Sequence, residues 1–320
     1  MDRSSALLKP RLLLVVLALA SLPASCQAQR RLSPEGVARQ AVIAEIKSVQ
    51  QSLGFEPTRN FLQHSHETEA IYRCYYTRKF ELPETYEGLR LREGTRHGCA
   101  LDESKYDVFF YPIEAVASGD APVTGSLSQA SEERLAVVVS HEDFHNQDSL
   151  QKLPEAMREA AATLVGFLTA AEYAREKSGA GSEQHARLAR EAELFLHKAR
   201  IVNAYHTRAS RLYENLRRGM TSEGVAHAEK IKLFEDLAQE CSALDLSPAT
   251  FNRCPSVLNN AALAFDRTYT KDYPLVYELY LTCRSDLKRT IEALRSLAMR
   301  EDLSEQEAER TLRSLIDGAR

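Results

Sequence analysis

Two histidines four residues apart, with a glutamate directly after the first, stand at His141-Glu142-Asp143-Phe144-His145. On an α-helix, positions i and i+4 lie one turn apart on the same face. Both imidazoles can therefore hold one Zn²⁺ ion, with Glu142 beside them in reach of a water on that ion. Chemistry of this kind is hydrolytic: the ion activates water and polarises a carbonyl, and the glutamate carries the proton. Two histidines are one ligand short of the usual catalytic zinc set of three protein groups and a water. Glu159, fourteen residues beyond His145, is the candidate for the third. Glu155, one turn earlier, is the competitor, although an acid there also suits the first turn of a helix.

The elements that must carry these residues can be read from the same stretch. Ser131 suits a helix N-cap, Glu132 and Glu133 favour a first turn, and Leu135 to Val139 is apolar. Pro154 suits a second helix start, and the small residues after Glu159 permit close helix packing. A short loop between the two would reverse the chain, so that Glu159 faces the histidine pair from an antiparallel helix. Asp143 lies about 200° round the helix from His141, which lets it point to solvent.

Beyond this pair, Ser33-Pro34-Glu35 predicts a helix running to about Ser52. Residues 55–107, rich in aromatics with Pro and Gly, predict loops and short helices. Lys105 to Ile113 and Ala121 to Leu127 predict strands of a small sheet. After Ser131 the pattern stays helical to the end, with breaks at Gly179-Ala-Gly181, Met220-Thr221-Ser222 and Ser247-Pro248. The expected class is α+β and mostly α-helical: a mixed part over 33–130, metal-binding helices over 131–176 and a helical region over 183–320.

The bulk properties exclude some functions and point to a compartment. A net charge of −4 over 320 residues argues against a nucleic-acid binder, which needs a basic face. Arg3, Lys9 and Arg11 precede the apolar run Leu12 to Ala20, which is about half the ~20 residues needed to span a bilayer. Residues 1–25 therefore read as a signal peptide. Ser25-Cys26 fits a lipoprotein signal while Pro23 departs from it, so lipid anchoring at Cys26 stands against cleavage near Ala28. Loss of residues 1–25 takes the net charge from −4 to −6. Export permits disulfides, for which Cys74–Cys99 and Cys241–Cys254 are the pairs closest in sequence. Five cysteines besides Cys26 leave at least one thiol unpaired.

Several separate blocks carry a family resemblance. They are Tyr106-Asp-Val108, Val123-Thr-Gly-Ser-Leu127, His141 to Gln147, Arg158 to Val165, Leu258-Asn-Asn-Ala261 and Arg267-Thr-Tyr269. Together they resemble a family of bacterial aminopeptidases, exported and often lipid-anchored gluzincins, over most of the mature chain. The resemblance implies zinc ligation by His141, His145 and Glu159, catalysis by Glu142, a peptide substrate, and a periplasmic location at the outer membrane. The chain departs from the family at Asp143, where small or apolar residues are usual. It departs from many gluzincins at Thr163, where an aspartate orients a histidine.

Within the late block, Tyr269 is the candidate to stabilise the oxyanion, with Tyr273 and Tyr277 behind it. Packing on a helix is the alternative for Tyr269. Asn259 and Asn260 either bind substrate backbone or cap a helix, and the Ala121–Leu127 strand is a candidate for edge pairing with a peptide. An exported binding or scaffold lipoprotein with a structural or vestigial metal site is the second reading, and a non-peptide amidase the third.

Overall fold

The computed structural model describes residues 34–64, 71–113, 115, 119–244, 258–300 and 303–318. The leader, Cys26, Cys254 and the Ser247-Pro248 break lie outside these residues. Helix α1 (Pro34–Ser52) starts at the proline, whose missing N–H is no loss in a first turn. Strands β1 (Ile71–Arg78), β2 (Arg90–Glu93) and β3 (Tyr106–Ile113) form an antiparallel sheet in the order β2-β1-β3.

β3 falls where the alternating stretch predicts it. β1 and β2 correct the expectation of loops and short helices over 55–107. The segment Ile71-Tyr-Arg-Cys-Tyr-Tyr-Thr-Arg78 is built of β-branched and aromatic residues, which fit a pleated, half-buried surface. The Cys74–Cys99 disulfide ties β1 to the chain after β2. Cys241 is also disulfide-bonded, and Cys283 is a free thiol.

A second correction concerns Ala121 to Leu127, which is not a strand of the sheet. Val123 makes an isolated parallel bridge with His64, and Thr124 then caps the short helix α2 (Gly125–Gln129). The Thr124 hydroxyl accepts the Leu127 N–H at 3.1 Å. A side chain that satisfies a helix-start N–H competes with extended structure, and over so short a segment it wins. The expected peptide-pairing edge is therefore lost here, while β3 lies at an edge of the sheet.

The helical part consists of α3 (Glu132–His145), α4 (Glu155–Ser178), α5 (Glu183–Arg217), α6 (Glu223–Ser242), α7 (Asn260–Thr270), α8 (Tyr273–Thr282), α9 (Leu287–Ala298) and α10 (Glu305–Gly318). The breaks at Gly179–Gly181 and Met220–Ser222 fall as expected. The turn between α8 and α9 has no glycine to announce it. Arg284 and Ser285 adopt the left-handed region there, at φ 61° and 56°.

α4 is the centre of the packing. It is buried on almost every face and packs on α1, α3, α5, α7 and α8, as an apolar helix of this length must. α3 lies antiparallel along it: Glu132 meets Tyr173, the Val137 carbonyl meets Gly166, and His141 meets Glu159. Residues 33–320 form one compact unit. No helix among the described residues is long and apolar enough to cross a membrane.

Candidate metal centre

Ser131 starts α3 by accepting the Arg134 N–H at 3.2 Å. Its apolar run, Leu135 to Val139, is buried against α4. The register of that burial turns His141 and His145 toward α4 and leaves Asp143 on the opposite side. At the end of α3, side chains of the loop to α4 close helix carbonyls that would otherwise stay open. Asn146 donates to the Glu142 carbonyl at 2.8 Å, Gln147 to the Asp143 carbonyl at 3.1 Å, and Gln151 to the His145 carbonyl.

Glu159 sits in the second turn of α4, facing the pair. His145 Nε2 is 3.2 Å from His141 Nε2 and 3.2 Å from Glu159 Oε2, and His141 Nε2 is 3.3 Å from the same oxygen. Two imidazole nitrogens and a carboxylate oxygen therefore form a nearly equilateral triangle. Tetrahedral coordination at about 2.0–2.1 Å places neighbouring ligand atoms about 3.3 Å apart, so these three donors fit a zinc ion as they stand. Burial works to raise the Glu159 carboxyl, but His145 and His141 overcome it and hold it far below the usual carboxylate range.

Glu142 lies beside the triangle. Burial pushes its carboxyl up to about 7; Glu159 and Asp143 push the same way, and His141 opposes them. A carboxyl with that value exchanges a proton readily at neutral pH. The cluster opens into a cavity of about 430 Å³, into which Glu142, Glu155, Arg158 and Tyr269 also face. The end of β3 reaches the same cavity through Ile113.

Tyr269 is brought in by α7, its ring 6.2 Å from that of His141. Burial, then the charge of Glu159, raises its phenol well above the usual value, so it remains a hydrogen-bond donor. Tyr273 and Tyr277 are not at the site. Tyr273 is buried and donates to the Ala192 carbonyl at 2.9 Å, and Tyr277 stacks on it. Glu155 is also not a member of the triangle: it accepts a hydrogen bond from Tyr86 at 2.6 Å and pairs with Arg158.

Asn259 and Asn260 are joints of the fold. Asn259 caps α7 by accepting the Ala262 N–H at 3.0 Å and donates to the Val108 carbonyl at 2.9 Å. Asn260, fully buried, accepts from Tyr213 and donates to the carbonyls of Lys79 and Glu81. Arg267 bonds Asn203 and Glu84, and Thr268 accepts the Tyr86 N–H at 2.9 Å. The late block thus clamps the chain between β1 and β2 against α5 and α7, and so positions both Tyr269 and Tyr86.

Asp143 corrects a further expectation. It is fully buried, paired with Lys47 at 2.7 Å and bonded by Thr58 at 2.5 Å and Asn60 at 3.3 Å. The angle of 200° from His141 is right, but that side of α3 faces α1 rather than solvent. The Thr163 hydroxyl is buried without a hydrogen-bond partner among the described residues, so it does not orient a histidine. Sequence reasoning missed Lys47, Thr58, Asn60 and Tyr86, which lie 69 to 96 residues from their partners and carry no local signal. Gln147 was within the motif block, yet only the structure shows it bridging Glu56, Asp143 and Arg295.

Fold and site together define a mostly helical α+β protein with a His-His-Glu cluster and a half-buried glutamate beside it. A family model described as "Putative aminopeptidase" matches residues 94–311, and the chain belongs to that family. No curated protein and no solved structure matches the chain.

Proposed function

We propose that this chain is a zinc-dependent aminopeptidase of the gluzincin type, with His141, His145 and Glu159 holding the metal and Glu142 as general base. The observation that carries the reading is the triangle of three donor atoms 3.2–3.3 Å apart with the half-buried Glu142 next to it. Zinc, when bound there, lowers the pKa of a water and polarises the scissile carbonyl. Glu142 takes the proton from the attacking water and returns it to the leaving amine. Tyr269, protonated at neutral pH, donates to the oxygen on which negative charge develops.

The site of action in this reading is the periplasm, with residues 1–25 removed and Cys26 anchoring the chain to the outer membrane. The disulfides at Cys74–Cys99 and Cys241 support it, since such bonds persist in oxidising compartments. The second reading, an exported binding lipoprotein with a structural metal, draws on the unpartnered Thr163 hydroxyl.

Substitution Glu142→Gln tests the assignment. Zinc content is expected to stay at the wild-type level while hydrolysis of fluorogenic peptides falls by about 10²-fold or more. Full activity in that variant would sink the general-base role. Absence of chelator-sensitive turnover in the zinc-loaded wild type would favour the binding protein.

A further inference from the structure

One carboxylate of the metal cavity has no task in the mechanism above. Glu155 stands four residues before Glu159, so the two project from the same face of α4, about 6 Å apart along its axis. Its side chain keeps 19% of its surface open and lines the cavity with His141, His145 and Glu159. Its aim is held from two sides. Tyr86 Oη donates to Oε1 at 2.6 Å, and the Arg158 guanidinium donates to Oε2 from the next turn. Tyr86 is itself held by Thr268 of α7. A carboxylate offers about four acceptor positions, so two fixed donors leave room for another.

The chemistry of an aminopeptidase requires a group of this kind. When a scissile carbonyl lies at the metal, the α-nitrogen of the first residue is about 2.5 Å from the reacting carbon. A protonated α-amine in that position loses much of its water and needs a carboxylate partner. Glu159 is committed to two histidines, and Glu142 must remain available to carry the proton. Glu155 is the remaining acid of the cavity within one helical turn.

We propose that Glu155 binds the free α-ammonium of the substrate's first residue and thereby selects peptides with an unblocked N-terminus. The proposal rests on the metallopeptidase reading of the same site and deepens it. Arg158 and Tyr86 are positioning residues here, since they act through Glu155.

Calorimetric titration of the zinc-loaded Glu142→Gln protein with leucinamide and with N-acetylleucinamide separates recognition from turnover. Leucinamide is expected to bind at least tenfold more tightly. Adding Glu155→Gln, which keeps the shape and one acceptor oxygen for Tyr86, should bring the ratio close to one, and Glu155→Asp should restore part of it. A thermal melt of each variant checks folding. Equal affinity for the two amides, binding of neither, or a preference that survives Glu155→Gln would overturn the proposal. A failure of the metallopeptidase reading shows separately, as the absence of chelator-sensitive peptide turnover in the zinc-loaded wild type.

Discussion

Asp143 shows how a residue between His141 and His145 can serve the scaffold instead of the proposed chemistry. Its carboxylate, fully buried, meets Lys47 of α1 at 2.7 Å, and the Lys47 side chain is itself 13% exposed. Two more donors, Thr58 and Asn60, bond its other oxygen. A buried ion pair adds little over apolar packing, but losing one partner leaves a charge uncompensated. Asp143→Ala is therefore expected to cost about 3–5 kcal/mol, read as a lower midpoint in urea. Adding Lys47→Met should recover part of that loss. A cost under about 1 kcal/mol would mean that the pair does not hold α3 on α1.

The distance between α3 and α4 is set by one glycine. A Cβ built on Gly166 lies 3.0 Å from the Val137 carbonyl oxygen and 3.4 Å from His141 Cβ. The helices can approach this closely only because that Cβ is missing, and the approach brings Glu159 to both histidines. Gly→Ala within a helix ordinarily gains up to about 1 kcal/mol, and here the clash with backbone opposes that gain. Gly166→Val is expected to push α3 outward and weaken zinc binding by about tenfold or more, measured by competition with a chromogenic chelator. Gly224, in α6 with nothing within 4 Å of its Cβ, is the control, since Gly224→Ala should leave zinc affinity unchanged. Unaltered affinity in Gly166→Val would show that helix spacing does not tune the donors.

At the scale of the molecule, the proposed zinc donors belong to two core helices, so metal binding there would be linked to global stability. Zinc that binds only the native state should stabilise it by about 2.7 kcal/mol at a hundred times its Kd. Tm is thus expected to rise with zinc, to fall again with chelator, and to lose its zinc dependence in His141→Ala. A melt indifferent to zinc in the wild type would contradict the ligand set. The sequence by itself determined what helix geometry and local chemistry dictate: the one-turn spacing of His141 and His145, the helix starts at Ser131 and Pro154, strand β3, and the breaks at Gly179 and Met220. Strands β1 and β2 and the α8–α9 turn were hidden, because aromatic-rich loops resemble strands and Arg284-Ser285 carries no turn signature. Only the tertiary structure decided which acid sits in the triangle, which way Asp143 points, and that Tyr269 shares a cavity with Glu155, which Tyr86 holds. Those outcomes depend on which face each element buries and on partners many tens of residues away, such as Lys47 and Asp143, 96 residues apart. Local periodicity places a side chain on a helix, but only packing decides what lies opposite it.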